Sequence, residues 1–285
     1  DTTAPPSLMA LRIKRIDAEG RLEFGDSSGR PGSLVALGAP SAGTQPAVEG
    51  VALGKFRYLL AYTLANQPFV RVAQFLTPFL RLIIANQLKR PRGVAVAAQG
   101  DIVVADTGNN RVRVFGADGV LKFQFGGSGG GAGQFRNPFG LAIGVNGDVY
   151  VADTGNNRVQ VFEATGTFRF EFGGFGNASG RFRQPLGIAV GLAGDVLVAD
   201  TANDRVQVFT ADGAFKFKFG SPGSLPGQFK AARAVAQDAF GRIYVADRDN
   251  NRVQVFTAAG GVLSMIQGSL RQPRGVAGGG GWEEF

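Results

Sequence analysis

The stretch PFGLAIGVNGDVYVADTGNNRVQVF at residues 138–162 decides the fold. Three runs rich in β-branched and apolar residues stand out in it: Gly140 to Val145, Asp148 to Ala152 and Arg158 to Phe162. Asn146-Gly147 separates the first two, and Asp153-Thr154-Gly155-Asn156-Asn157 separates the second and third, both turn-forming compositions. After Thr165-Gly166 a fourth run follows, Thr167 to Phe172, in which Phe168, Phe170 and Phe172 alternate with Arg169 and Glu171. That alternation predicts phenylalanines turned to a neighbouring sheet and charges turned to water. Phe215, Phe217 and Phe219 repeat it, with Lys216 and Lys218 outward, and charges on an outer strand oppose edge-to-edge aggregation.

Outward from this stretch the same pattern recurs at a fixed step. Ala-Asp pairs end at Asp106, Asp153, Asp200 and Asp247, each 47 residues after the last. Pro91, Pro138 and Pro185 keep that step, and Ala232 takes the next place. Four short strands in a repeat of roughly 40–50 residues describe one blade of a β-propeller.

The run Pro-x-Gly, strand, Gly-Asp-x-x-Val-Ala-Asp-x-x-Asn-x-Arg-Val-x-Val-Phe resembles the NHL repeat. Four regular units cover residues 89–267, and at the family's middle histidine this chain has Asn110, Asn157, Asp204 and Asn251. A degenerate blade is expected over 48–85: Gly50 to Leu53, Tyr58 to Ala61, Val70 to Phe75 and Phe79 to Ile84 stand for its strands, with Tyr62 in place of the aspartate. Residues 26–47, rich in Gly, Pro and Ala, read as a loop. The resemblance implies an all-β, six-bladed β-propeller of four-stranded antiparallel blades in a single domain, 1–285. Its ring is expected to close through one blade shared by residues 11–25 and 272–285, with Gln272 to Ala277 restarting a first strand.

Composition narrows the chemistry. With no cysteine and no histidine, disulfides, thiol catalysis, imidazole bases and histidine-ligated zinc are all excluded. A formal charge of +8 favours acidic partners. The apolar segment Tyr58 to Ala85 is interrupted by Pro68, Arg71, Pro78 and Arg81, so no membrane span is expected there. The chain begins at Asp1, which is compatible with removal of an export or organelle-targeting peptide, and the compartment is left open.

Four sets of residues are candidates for function. The repeated Asp of Val-Ala-Asp, with the Asn and Arg after it, reads as structural: the carboxylate is expected to take N–H groups of the following turn and to pair with the arginine five residues on. Two residues before each Pro-x-Gly stands a base, Lys89, Arg136, Arg183, Lys230 and Arg271, and Arg92, Arg233 and Arg274 add charge just inside. These are expected to gather on one face, around the mouth of the central channel. The degenerate blade is apolar where its siblings are polar: Ile83 holds the outward position of Gln124, Glu171 and Lys218, with Leu59, Leu60, Phe69, Phe75 and Leu80 nearby. An apolar patch of that kind is a candidate docking surface. A lesser departure is Arg248-Asp249, which replaces the small Thr-Gly pair of the other turns.

Together these features point to a noncatalytic protein-binding or scaffolding propeller, a subunit of a larger assembly, with no cofactor and no catalytic residue. The first alternative follows from the resemblance, since some NHL-like domains bind single-stranded RNA on the basic face. Phe139 sits where a base would stack. The second is a metal-dependent hydrolase-like propeller, for which Asp106, Asp153, Asp200 and Asp247 would have to form a calcium-type site; the histidine ligands of the amidating lyase are missing.

Overall fold

A computed structural model describes residues 88–191 and 193–277 with their side chains, and N-terminal to them the backbone of seven strands. These seven are Arg12–Ile16, Arg21–Gly25, Val35–Ala36, Val48–Ala52, Arg57–Thr63, Val70–Leu76 and Phe79–Ile84. The first three form a sheet in one compact unit, and the strands from Val48 to Tyr62 and from Val70 onward lie in a second.

In the second unit the regular blades are antiparallel sheets of four strands in chain order. In the blade quoted above the strands are Pro138–Ile143, Val149–Asp153, Arg158–Phe162 and Phe168–Gly173. The first strand starts at Pro138, ahead of the expected Gly140, because Pro138 pairs with Asp153 before a bulge that ends at Leu141. Val145, expected in that strand, lies beyond it and is 80% exposed at the tip of the turn. The preceding regular blade runs from Val94 to Phe125, and the two that follow run from Pro185 to Phe219 and from Ala232 to Ile266. The degenerate blade also forms, as the sheet of Val48–Ala52, Arg57–Thr63, Val70–Leu76 and Phe79–Ile84 in that order. Ala73 stands opposite Ile83 in the register that places Gln160 opposite Glu171.

Successive regular blades join through three phenylalanines. Phe125, on a fourth strand, lies 4.7 Å from Phe162 on a third strand of the next blade, and Phe135 from the crossover lies 5.4 Å from that same ring. The trio recurs as Phe172, Phe209 and Phe182, then as Phe219, Phe256 and Phe229. Phe135, Phe162, Phe182, Phe209, Phe229 and Phe256 are fully buried, each worth about 1.5–3 kcal/mol of transfer free energy. Arg169, Glu171, Lys216 and Lys218 face water as the alternation predicts. Val262 and Ile266 on the fourth strand of the last regular blade hold the places of Phe215 and Phe219, yet Ile266 is 51% exposed where Phe219 is buried. No neighbouring blade covers that surface among the described residues.

A hub at the strand ends binds each blade to the crossover before it. Asp153, wholly buried, accepts from the backbone N–H of Arg136 at 2.7 Å through Oδ1. Its Oδ2 accepts from Asn156 Nδ2 at 2.9 Å, Arg158 Nε at 2.9 Å and Gln160 Nε2 at 3.1 Å. Asp200 and Asp247 repeat this with Asn203, Arg205 and Gln207, and with Asn250, Arg252 and Gln254. The arginine pairs as expected, but no side-chain bond caps the following turn. The carboxylate reaches back 17 residues instead, because the chain crossing over from the previous blade passes directly beside it. Arg158, Arg205 and Arg252 also donate through Nη2 to the crossover carbonyls of Gln134, Arg181 and Gln228.

One expectation about the ends is corrected, and a second falls partly outside the described residues. The segment 26–47 is not all loop, since Val35–Ala36 pairs with Arg21 and Leu22 to complete a three-stranded sheet. Residues 272–277 form no strand, and 278–285 lie outside the described residues, so the blade expected to be shared by 11–25 and 272–285 is not seen as such.

Replacing a hub carboxylate strands a buried cation. Asp200→Ala leaves Arg205, whose side chain is 7% exposed, without its counter-ion. The expected loss is about 3–5 kcal/mol of unfolding free energy, read from urea titrations followed by circular dichroism. A loss below about 1 kcal/mol would show that the hub is not a structural determinant.

Candidate functional site

The hubs present the basic residues. Lys89, Arg136, Arg183 and Lys230 each donate the backbone N–H to a buried aspartate, at 2.6, 2.7, 2.8 and 2.8 Å. Their carbonyls accept from the loop between second and third strands, as Gly108 donates to Lys89 and Gly155 to Arg136, both at 2.7 Å. The two loops therefore share one end of the blades, as expected. Backbone is fixed at these positions while the side chains of all four, and of Arg271, are exposed.

The residue after each base is left-handed: Arg90, Asn137, Gln184, Ala231 and Gln272 have φ of 47°, 51°, 51°, 58° and 42°. The N–H groups of Asn137, Gln184, Ala231 and Gln272 are accepted by Asn110, Asn157, Asp204 and Asn251 at 2.8, 2.9, 2.7 and 2.9 Å. These four acceptors are the residues that replace the histidine of the resembled motif, and they are themselves left-handed, at φ 50–56°. Asn and Asp tolerate that region and carry a short side-chain acceptor, which accounts for the replacement.

Further in, Arg92 and Arg233 are half-buried, and their guanidinium carbons lie 5.5 and 4.9 Å from the centre of the Phe139 ring. Phe139, Arg233 and the exposed Arg274 line one cavity with the inner strands. Arg183 lies 5.7 Å from the ring centre of Phe175, which is 71% exposed. At the opposite end of the blades each cation has an acid: Lys122 with Asp101, Arg169 with Asp148, Lys216 with Asp195 and Arg242 with Asp238. Lys89, Arg136, Lys230, Arg271 and Arg274 pair with no carboxylate among the described residues. Asp238 is held below the usual carboxylate range: burial opposes this, but the Arg242 guanidinium and N–H, the Tyr244 hydroxyl and the Phe240 N–H outweigh it.

The remaining candidates fare differently. Asp106, Asp153, Asp200 and Asp247 spend their oxygens on arginine, amide and backbone donors, which leaves no free lone-pair set for a calcium ion. Among the described residues no group of three or more acidic side chains is placed to hold a metal. Arg248 and Asp249 pair with each other at 3.3 Å, whereas Thr107, Thr154 and Thr201 donate to the first residue of the next blade, at 2.5, 2.6 and 2.6 Å. Side chains of Leu59, Leu60, Phe69, Phe75, Leu80 and Ile83 lie outside the described residues. The 47-residue step also carried Gln160, Gln207 and Gln254, and Phe135, Phe182 and Phe229, which the motif reading passed over. In the first regular blade Arg113 takes the glutamine's place, its pKa lowered by burial and by Arg111, with Asp106 opposing.

Packed four-stranded antiparallel sheets with a repeat of this kind are the blades of a β-propeller. The chain carries NHL repeats, the family model matching residues 88–115, 135–162, 182–209 and 232–256. It is similar to Protein brain tumor of Drosophila melanogaster, at 52% identity over 44 residues, 15% of this chain and 4% of that one. The match thus spans about one twenty-fifth of that relative's length. Among solved structures, virginiamycin B lyase from Staphylococcus aureus superposes with a TM-score of 0.66 at 16% identity, covering 93% of this chain and 84% of the lyase. A chain from a nidogen/laminin complex gives 0.59 at 16% identity, covering 77% and 81%. At such identities the likeness is one of fold. No helix among the described residues is long and apolar enough to cross a membrane.

The left-handed acceptors allow a direct check. Asn157→Ala removes the bond to Gln184 and places an ordinary Cβ residue at φ 56°, for an expected loss of about 1–2 kcal/mol in thermal or urea unfolding. Asn157→Gly relieves the backbone but not the lost bond, and is expected to fall between alanine and the parent.

Proposed function

We propose that this chain is a noncatalytic binding propeller that docks an acidic surface of another protein against the end where its blades begin. The asymmetry of charge carries this reading. At one end Lys122, Arg169, Lys216 and Arg242 each sit in an ion pair with a blade aspartate; at the other Lys89, Arg136 and Lys230 project from hub-fixed backbone, and Arg271 from the segment after the last regular blade, with no carboxylate partner among the described residues. Such charges cost little when solvated, and they steer an anionic partner in and set its register more than they add affinity. Rigid backbone beneath them means little ordering is lost on docking.

The ring is proposed to have six blades, closed by a blade to which residues 11–25 and 272–285 contribute. Support comes from Gln272, whose left-handed backbone and bond to Asn251 repeat the start of the last three regular blades, and from Arg274, Gly275 and Val276, which line the cavity beside the inner strands. Exposed Val262 and Ile266 then acquire a neighbour. Deleting residues 1–25 is expected to lower the unfolding midpoint, since an open ring exposes two sheet edges. An unchanged midpoint would count against closure.

Binding to an acidic polypeptide, decaglutamate labelled with fluorescein, tests the functional reading by anisotropy. Affinity is expected to fall steeply with salt, and Arg136→Glu with Arg183→Glu to weaken it about tenfold or more while the melting temperature holds. Tighter binding of oligouridine, with a log–log salt slope of roughly 2–3.5, would favour RNA instead. Hydrolysis of lactone, ester or phosphoester substrates that a chelator abolishes would overturn the noncatalytic reading.

A further inference from the structure

We infer that Asn177 is an acceptor for an N-linked glycan, and that the exposed ring of Phe175, two residues before it, seats the first sugar. The inference is independent of the binding reading above and comes from a crossover that departs from its siblings.

At the 47-residue step Phe175, Asn177 and Ser179 correspond to Ser128, Gly130 and Ala132 in the crossover before, and to Pro222, Ser224 and Pro226 in the crossover after. Asn177-Ala178-Ser179 is also the one Asn-x-Ser or Asn-x-Thr run in the whole sequence. Such a run, with its hydroxyl two residues after the amide, is what the glycan-transferring enzyme reads. Three residues recur by chance, so the case rests on how the fold presents them.

Asn177, Ala178 and Ser179 are all exposed. Their backbone is held from beneath by the hub of the next blade: the Gly176 carbonyl accepts from Asn203 Nδ2 at 2.9 Å, and those of Asn177 and Ala178 accept from Arg205 Nη1 and Nη2 at 2.7 and 2.8 Å. The Ala178 carbonyl also accepts from the Arg181 N–H at 3.1 Å, closing a turn. With the carbonyls committed to the hub, the Asn177 side chain is left to solvent. Asn156 and Asn203 are in the opposite condition, their Nδ2 groups bonded to buried aspartates. A sugar on Asn177 therefore displaces no bond of the fold and enters no packed surface.

Phe175 supplies the second observation. It is 71% exposed, in contrast to the fully buried Phe182 of the same crossover, and the Arg183 guanidinium lies 5.7 Å from its ring centre. Leaving that ring in water forgoes the stabilisation that burial gives. A pyranose has one face of C–H groups, apolar and slightly positive, which an aromatic face attracts as it attracts the edge of another ring. Arg183 restrains the ring, and most of it remains open to a sugar carried two residues away.

In the transfer Asn177 Nδ2 attacks the anomeric carbon of a polyprenyl-diphosphate-linked oligosaccharide bound to an oligosaccharyltransferase. An N–C bond to the anomeric carbon forms and the bond from that carbon to the diphosphate oxygen breaks. The amide gives one proton to the enzyme, polyprenyl diphosphate leaves, and nothing is oxidised or reduced.

The test is secretion of the whole chain from a eukaryotic host behind a cleavable signal sequence, read by intact mass before and after peptide-N-glycosidase treatment. The parent is expected to carry a mass increment that the enzyme removes. Asn177→Gln and Ser179→Ala are each expected to lose it, while Ser179→Thr keeps it. A secreted parent without the increment would overturn the acceptor, as would an increment that persists in Asn177→Gln. The seat is read from thermal melting. The glycan is expected to raise the melting temperature of the parent over Asn177→Gln by about 2 °C, the scale of one stacked aromatic contact in a chain of this size. Trimming to the first sugar with an endoglycosidase is expected to keep that shift, and Phe175→Ala to abolish it. An equal shift in the Phe175→Ala background would overturn the seat and leave the acceptor standing.

Discussion

Each regular blade depends on one carboxylate sealed from water. Taking a carboxylate and a guanidinium out of solvent costs several kcal/mol per ion, and their mutual attraction offsets this only when every lone pair and N–H finds a partner. The hubs meet that condition. Asp153 collects a backbone N–H, an amide, a guanidinium and a second amide, and Arg158 spends its other donors on Glu171 and on two crossover carbonyls. A hub with one member missing is worse than an apolar core, so the arrangement works as a lock: strand end, turn, third strand and preceding crossover assume their places together. Hydrophobic burial of the phenylalanine trios supplies the larger stabilisation, but it is not directional. The hub decides where the crossover runs.

That lock bears on function because the crossovers carry the exposed bases. Side chains on irregular loops ordinarily lose much conformational freedom when a partner docks. Here the N–H of Lys89, Arg136, Arg183 and Lys230 is bound to a buried carboxylate, and the following N–H of three of them to an asparagine or aspartate one blade back. A binding face is thereby built on loops with the positional accuracy of a strand. The paired ions at the far end of the blades show that this chain can place an acid beside a base wherever its own stability calls for one. Left unpaired, the bases of the near end are what the proposed acidic partner would complete.

Most of the fold was legible because a propeller writes its plan many times over. The step from Asp106 to Asp247, the alternation of Phe168, Phe170 and Phe172, and the turn at Asn146-Gly147 all correspond to observed elements. What the reading misassigned were the hydrogen-bond partners. Asp153 was expected to bind the turn that follows it, since local bonds are the ones sequence proximity suggests, whereas its backbone partner is Arg136 on the preceding crossover. Gln160 went unnoticed because a glutamine on an otherwise apolar strand looks solvent-facing; it is wholly buried at the hub. The cation–π contacts of Phe139 join residues from three blades, and no spacing along the chain foretells which arginines meet there. The ends were hardest, for they lack the repetition that made the middle readable.

The bonds between successive regular blades connect residues at constant offsets: 17 from crossover to hub, 27 from the left-handed acceptor to the next regular blade, and 31 from the turn threonine to the next first strand. Wiring at constant offset is indifferent to the number of copies. A duplicated stretch of 47 residues brings every donor with its acceptor, so a gene that gained or lost one whole repeat would yield a chain whose internal joints are already matched. Only the ends of the array would feel the change. A single residue inserted within a crossover, by contrast, shifts one set of offsets against another and leaves a buried carboxylate facing the wrong atom. Lengthening such a protein by a whole blade is the smaller perturbation, and its natural variation should come in units of the repeat.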